Sequence, residues 1–283
     1  MAAKPAVLRV SARNARFQQW QALLTNRAKR QKAGEFLIQG VRPISLALEH
    51  GWPLSAVLYD GDRPLSQWAK GVLGRLGNGT VRVRMDSGLL HELGGKEDSA
   101  PELLAVGEML PDDLDRLEPG PDFLGVVFDR PITPGNIGTL IRSADAFGAS
   151  AIIISGHAAD VYDPKALRAS TGSVFALPVV RVPSPRDVQD WLTRVRDRGT
   201  PVRVLGTDEK GPHTITEARL TGPLLVVIGN ETSGMSGAWR EMCDETVRIP
   251  IGGAASSLNA AAAGTVMLYE AARQRGFDAA LPL

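Results

Sequence analysis

A single cysteine, Cys243, stands in 283 residues, which excludes an intrachain disulfide framework and any zinc site built from several cysteines. Four scattered histidines are too few for a His-rich metal cage, so no metal is expected. Aromatics are scarce at 5%, charged residues make up 22%, and the 30 glycines and 19 prolines follow no period; collagen-like, coiled-coil and wholly disordered chains are excluded. No run approaches the roughly 20 apolar residues that cross a bilayer. Met1 to Val10 lacks the apolar core of a secretion signal, so the expectation is a cytoplasmic protein without a membrane partner. Also missing are a Gly-x-Gly-x-x-Gly after the first strand of an α/β unit and a Gly-Lys-Ser/Thr loop, which removes most support from nicotinamide dehydrogenases and P-loop NTPases.

What is present is enough apolar residue, 43%, for a sizeable core, and a length that fits two domains. Net charge is only +1, but residues 1–50 carry Lys4, Arg9, Arg13, Arg16, Arg27, Lys29, Arg30, Lys32 and Arg42 against Glu35 and Glu49. That asymmetry fits a polyanion partner, because Lys and Arg clusters gain affinity by releasing counterions from phosphates. A solvated basic helix face is the other reading.

Hydrophobic periodicity predicts a helix over 12–31, where Phe17, Trp20, Leu23 and Leu24 recur at three- and four-residue spacing. Strands follow at 36–38, 56–59, 81–83 and 103–106, with helices at 41–50, 65–76 and 87–93 between them. This makes a small α/β domain over 1–110. The acidic, proline-broken stretch 111–121 reads as a linker. From 122 to 283 strands and helices alternate: strands at 123–128, 151–154, 179–182, 202–205, 224–228 and 247–249, and helices at 136–147, 165–170, 185–196 and 257–273. Such alternation predicts a mostly parallel sheet covered on both faces.

Parallel sheets bind ligands beyond the carboxyl ends of their strands, so the loops there are where chemistry is sought. The first runs from Asp129 to Arg142. Gly135 and Gly138 permit close backbone approach, Asn136 is a good helix N-cap, and Arg142 follows one and a half turns later. A guanidinium near a helix start favours a phosphate; a cap with a structural arginine is the plainer alternative. The second loop, Gly229-Asn230-Glu231-Thr232-Ser233-Gly234, puts a carboxylate between glycines, able to accept from a hydroxyl, hold an arginine or cap a helix. In the third, Pro250 and Gly252-Gly253 stop a strand and expose amides and carbonyls that suit a purine edge. There Ser257 and Asn259 open the next helix, with Ser256 or Ser257 as a simple N-cap the alternative. Gly206 and Thr207 end another strand.

In order and spacing, Asn136-Ile-Gly-x-x-x-Arg142, Ile228-Gly-Asn-Glu231-x-x-Gly234 and Ile249-Pro-Ile-Gly-x-x-x-Ser-Ser257-Leu-Asn259 resemble the three motifs of the SpoU, or TrmH-like, RNA ribose 2'-O-methyltransferases of the SPOUT superfamily. The match spans 123–275. Gly34-Glu35-Phe36-Leu37-Ile38-Gln39-Gly40 is similar to the start of that family's RNA-binding domain, with glutamine where many relatives carry glutamate. The resemblance implies a C-terminal α/β domain with a deep trefoil knot, a small N-terminal α/β domain with a ribosomal-protein-like fold, S-adenosylmethionine as cofactor, and a homodimer through the C-terminal domain. It implies cofactor contacts at Gly206, Thr207, Gly229, Asn230, Gly234, Ile249, Ile251, Ser257, Leu258 and Asn259, and a reaction centre of Arg142, Asn136, Glu231, Ser257 and Asn259. In that centre Arg142 is expected to clamp the nucleotide, Asn136 and Asn259 to position the hydroxyl or the arginine, and Glu231 to orient Arg142. RNA contacts are expected from Arg13, Arg27, Lys29, Arg30, Lys32 and, in the stretch between the first two motifs, Lys165, Arg168 and Ser170. With Asp129-Arg130-Pro131, the N-terminal segment looks most like ribosomal RNA methyltransferases that confer orthosomycin resistance, which implies 23S ribosomal RNA as substrate. Transfer-RNA methylation and RNA binding without catalysis are the alternatives.

Overall fold

A computed structural model describes residues 7–94 and 100–277, and Lys4 lies outside them. The chain divides into two compact units, Met1–Leu110 with Tyr162–Ala176, and Pro111–Val161 with Leu177–Leu283.

The first unit contains β1 (Val7–Val10), α1 (Ala15–Thr25), α2 (Arg27–Ala33), β2 (Glu35–Ile38), α3 (Val41–Glu49), β3 (Leu54–Asp60), α4 (Gln67–Arg75), β4 (Val81–Met85), α5 (Ser87–Gly94) and β5 (Leu103–Glu108). Its sheet runs β1-β4-β3-β5-β2, parallel among β1, β4 and β3 and antiparallel where β5 meets β3 and β2. Phe17, Trp20 and Leu23 on one stripe of α1 bury against Leu37, Leu58, Val83 and Leu104. The helix predicted over 12–31 is in fact two. Asn26 takes an extended conformation (φ −122°, ψ 104°) and its side chain accepts from Lys29 N, because asparagine caps a new helix better than it continues one. β1 was not expected, since four residues with Arg9 among them give too short a pattern.

The second unit contains β6 (Leu124–Asp129), α6 (Pro134–Ala146), β7 (Ala151–Ser155), β8 (Val179–Val182), α8 (Pro185–Asp197), β9 (Arg203–Thr207), β10 (His213–Thr214), β11 (Leu224–Ile228), α9 (Gly237–Met242), β12 (Glu245–Arg248) and α10 (Ala260–Arg275), while α7 (Pro164–Ser170) belongs to the first unit. All pairings in the order β10-β12-β9-β11-β6-β7-β8 are parallel. β6, β7 and β11 are buried along their whole length, as unbroken apolar runs covered on both faces must be. From β6 the chain moves one way through β7 and β8. It then returns to the other side through β9, and β11 enters between β9 and β6. The order therefore switches direction beside β6, where open α/β sheets leave a crevice.

The segment 111–121 packs on this unit. Leu114 and Leu117, three residues apart across a short 3-10 turn, point together into the core, and Asp112 accepts from the backbone and side chain of Arg181. Segment 162–176, expected with the second domain, joins the first unit through rings: Tyr162 lies 4.5 Å from Phe36, and Phe175 lies 5.1 Å from Trp52 between centroids. No helix of the described residues is long and apolar enough to cross a membrane, and no group of three or more His, Cys, Asp or Glu among them is placed to hold a metal.

Candidate active site

β6 and β11 are adjacent and in register, Phe128 beside Ile228, so the loops that follow them emerge side by side. After β6 the chain turns into α6 with Thr133 as N-cap and Pro134 in the first turn. Asn136 is thus inside the helix, and this corrects its expected capping role: proline supplies the preset φ for helix entry and leaves the asparagine free for other bonds. Its Nδ2 donates to Glu231 Oε1 at 3.0 Å, and its Oδ1 accepts from Asn259 Nδ2 at 3.1 Å. Asn259 is the N-cap of α10, its Oδ1 accepting from Ala261 N and Ala262 N, so α10 begins three residues later than expected and neither Ser256 nor Ser257 caps it. A directional chain of hydrogen bonds therefore joins all three motifs, from the α10 amides through Asn259 and Asn136 to Glu231.

Glu231 also accepts from Ile132 N at 3.1 Å and Thr133 N at 3.2 Å. Partial burial pushes its carboxyl upward, but the Asn136 amide and these backbone donors outweigh burial and hold it below the ordinary carboxylate range. The expectation that Glu231 orients Arg142 is corrected, because its oxygens are committed to the entry of α6. Arg142 is exposed on α6 and makes no side-chain hydrogen bond or ion pair with the described residues.

Beside this chain lies a cleft of about 360 Å³ at the ends of β9, β11 and β12, within the range of about 300–1,000 Å³ usual for small-molecule sites. Thr207, Gly229, Asn230, Gly234, Ile249, Ile251, Ser257 and Leu258 line it, as does Glu231. Gly206 does not. A Cβ there would lie 2.6 Å from Met235 Cε and 2.7 Å from Cys243 Sγ, so this glycine makes room for the core. Asn230 lines the cleft, yet its side chain is spent inside the loop, donating to Arg130 O and accepting from Thr232 N and Ser233 N. Asp208 and Arg240, paired at 3.0 Å on the rim, were not singled out; only the fold shows that α9 faces the loop after β9.

The wall from residue 249 to 258 has no regular structure and forms no hydrogen bond with the described residues. Its amides and carbonyls are open beside the apolar side chains of Ile249, Ile251 and Leu258, which is the donor set that an adenine ring requires. The residues present fit S-adenosylmethionine.

Of the expected RNA contacts, Arg27, Lys29 and Lys32 are exposed on α2, and Lys165 and Arg168 on α7. Both helices pack on β2 and are joined by an ion pair from Arg30 to Asp163 at 3.7 Å, so these side chains belong to one face of the first unit. Arg13 is exposed but paired with Glu92 at 2.8 Å. Two expectations are corrected. Arg30 is only 2% exposed and donates to Leu23 O, and Ser170 is fully buried with its hydroxyl donated to Leu167 O.

Comparison with known proteins matches residues 14–105 to the SpoU L30e-like domain and residues 124–269 to the SpoU rRNA Methylase family. A 23S rRNA (uridine(2479)-2'-O)-methyltransferase of Streptomyces viridochromogenes is 59% identical over 271 residues, covering 96% of this chain and 94% of that protein. The crystal structure of the SpoU methyltransferase AviRb from the same organism, in complex with AdoMet, matches with a TM-score of 0.88 and 60% identity over 93% of this chain and 98% of that one. An AdoMet-bound rRNA methyltransferase from Sinorhizobium meliloti matches with a TM-score of 0.84 and 28% identity over 94% and 98%. Three loops drawn to one cleft by a parallel sheet, and a likeness that runs nearly the whole length, lead to one assignment: the chain belongs to the SpoU rRNA methylase family.

Proposed function

We propose that this protein methylates the 2'-hydroxyl of a ribose in 23S ribosomal RNA, at the uridine equivalent to the one its Streptomyces relative modifies, with S-adenosylmethionine as donor. The observation that carries the reading is the Asn259–Asn136–Glu231 chain at the edge of the cleft, because it brings three separated motifs to one place. Intact polar groups at all these positions favour catalysis over RNA binding alone.

Bound in the cleft, S-adenosylmethionine supplies an electrophilic methyl group on sulfonium sulfur. The chain must then bring a ribose 2'-oxygen into line with it and hold the hydroxyl proton away from the path. Asn136 keeps one N–H and one oxygen lone pair beyond its two bonds, enough to orient that hydroxyl. Arg142, which pairs with no side chain among the described residues, clamps the neighbouring phosphate through its fork. Lys29, Lys32, Lys165 and Arg168 hold the RNA backbone on the first unit. Homodimerisation uses the outer face of α10 and the residues just beyond its end, where Tyr269 and Phe277 are 49% and 45% exposed and Tyr269 stacks edge-on with Phe147. The deep trefoil knot is part of the same reading, supported by the return of 249–259 from the β12 side of the sheet to α10, which packs on α6. Orthosomycin resistance and a cytoplasmic location belong to the same proposal.

The test is methyl transfer from labelled cofactor to a 23S rRNA transcript, followed by nuclease digestion and mass spectrometry. The expected product is one 2'-O-methyluridine per transcript. Arg142→Lys should lose turnover while binding cofactor normally. Label on a base, label only on transfer RNA, or full activity of R142K would each overturn the corresponding part.

A further inference from the structure

Asp129 and Arg130, at the end of β6, form no part of the cleft wall, yet they hold the loop that does. Asp129 is 1% exposed, and its carboxylate takes Arg130 Nε at 3.1 Å and a terminal nitrogen of the same fork at 3.0 Å. The same carboxylate accepts from Ser236 N at 2.8 Å, just past the second-motif loop. Arg130 then grips both ends of that loop. Its carbonyl accepts from Asn230 Nδ2 at 2.6 Å, and its guanidinium donates to Gly234 O at 3.2 Å. Asn230 and Gly234 are themselves paired backbone to backbone, closing the turn that presents Glu231.

The backbone at Arg130 is left-handed, with φ at +48°, a conformation that L side chains other than Asn and Asp seldom adopt. Such strain persists where the surroundings over-determine it. Here they do: Arg130 N donates to Ser155 O, and Gly156, with φ at +73°, stands where a Cβ would come 2.8 Å from Arg130 Cγ. The end of β7 is thus shaped to receive this one side chain in this one conformation.

We propose that Arg130 is a positioning residue for methyl transfer: anchored on buried Asp129, it sets the 230–234 turn so that Glu231 meets Asn136 and the turn's backbone meets the cofactor. The inference rests on the methyl-transfer reading above and adds to it a residue that stands outside the cleft wall. Its geometric effect is on the loop, and displacement of about 1 Å in a reacting constellation costs up to about a hundredfold in rate.

Arg130→Gly removes the fork and accepts a left-handed φ, so its effect is not confounded by backbone strain; Arg130→Lys keeps a cation beside Asp129 but cannot span to Gly234 as well. The measurements are amide hydrogen exchange over residues 230–236, calorimetric affinity for S-adenosylhomocysteine, and kcat and KM for the 23S transcript. For R130G the expected results are faster exchange in that loop, affinity weaker by about tenfold, kcat lower by about ten- to a hundredfold, and RNA KM within about twofold. R130K should fall between. Millimolar guanidinium should recover part of the kcat of R130G and none of that of R142K. If wild-type protein methylates no RNA, the functional reading fails, while exchange and affinity still judge the positioning role. Unchanged exchange and affinity in both variants would overturn it, as would a loss confined to RNA KM with a flatter salt dependence, which would make Arg130 an RNA contact instead.

Discussion

Asn259 has two duties in this structure, and one substitution separates them. Its Oδ1 caps α10 through Ala261 N and Ala262 N, while its Nδ2 donates to Asn136 Oδ1. Asn259→Ala removes both. An N-cap is worth about 1 kcal/mol and a neutral hydrogen bond about 1 kcal/mol, so N259A should lose about 2 kcal/mol. At about 2–4 °C per kcal/mol for a unit of this size, Tm should fall by about 4–8 °C. Asn259→Asp keeps the cap, since aspartate is as good an acceptor and favours the helix N-terminus, but it replaces the donor facing Asn136 with a second acceptor. Asn136 cannot turn over to compensate, because its oxygen would then face the Glu231 carboxylate. N259D should therefore lose about half as much Tm as N259A, yet its kcat should fall at least about tenfold, which corresponds to about 1.4 kcal/mol. Thermal denaturation followed by circular dichroism, and initial rates of methyl transfer between pH 5 and 8, read both quantities. Wild-type kcat in N259D would show that the bond to Asn136 has no part in the reaction, and equal losses of Tm in the two variants would show that the cap is not what Asn259 adds to stability.

Glu231 gives a stability signature in acid. Its folded-state pKa lies below the ordinary value of about 4.3, so its stabilisation is complete above that value and is lost as pH falls through it toward the lower folded one. Glu231→Gln does not titrate, and the Tm gap between wild type and E231Q, widest near neutrality, should close below about pH 5; a gap that stays constant to pH 3 would contradict the hydrogen-bond assignment. On the first unit, Arg30→Ala should destabilise by about 1–3 kcal/mol in urea without altering the salt dependence of RNA affinity, because its guanidinium is buried on Leu23 O. Lys29→Ala with Lys32→Ala should do the reverse, reducing the slope of log K against log salt by about 0.7–0.9 for each lysine that meets a phosphate. Filter binding at several salt concentrations distinguishes the two.

The two-domain α/β organisation and the three motif loops were legible because parallel strands buried on both faces read as unbroken apolar runs, such as 224–228, and because proline and glycine mark where they stop. What local pattern could not carry was the order of strands. Insertion of β11 between β6 and β9 brings Glu231 to Asn136, and no periodicity encodes it. For the same reason the sequence placed Glu231 near Arg142, where the fold gives it to the amides before α6. Competition among side chains also lies beyond pattern: Asn259 rather than Ser257 took the cap, and proline rather than Asn136 opened α6. Arg30 looked like one more surface cation because helix α2 is basic all round, whereas in the fold the carbonyl of Leu23 and the carboxylate of Asp163 help make its burial tolerable.

The ring cluster of the first unit carries a consequence for biosynthesis. Phe36 emerges from the ribosome early, but Tyr162 and Phe175, which pack on it, are made more than a hundred residues later, after β6 and β7 of the other sheet. The packing of the amino-terminal unit is therefore complete only once residues 162–176 have been made. A fragment cut at Leu110 exposes that aromatic surface, and any transplant of the unit onto another enzyme has to bring residues 162–176 with it.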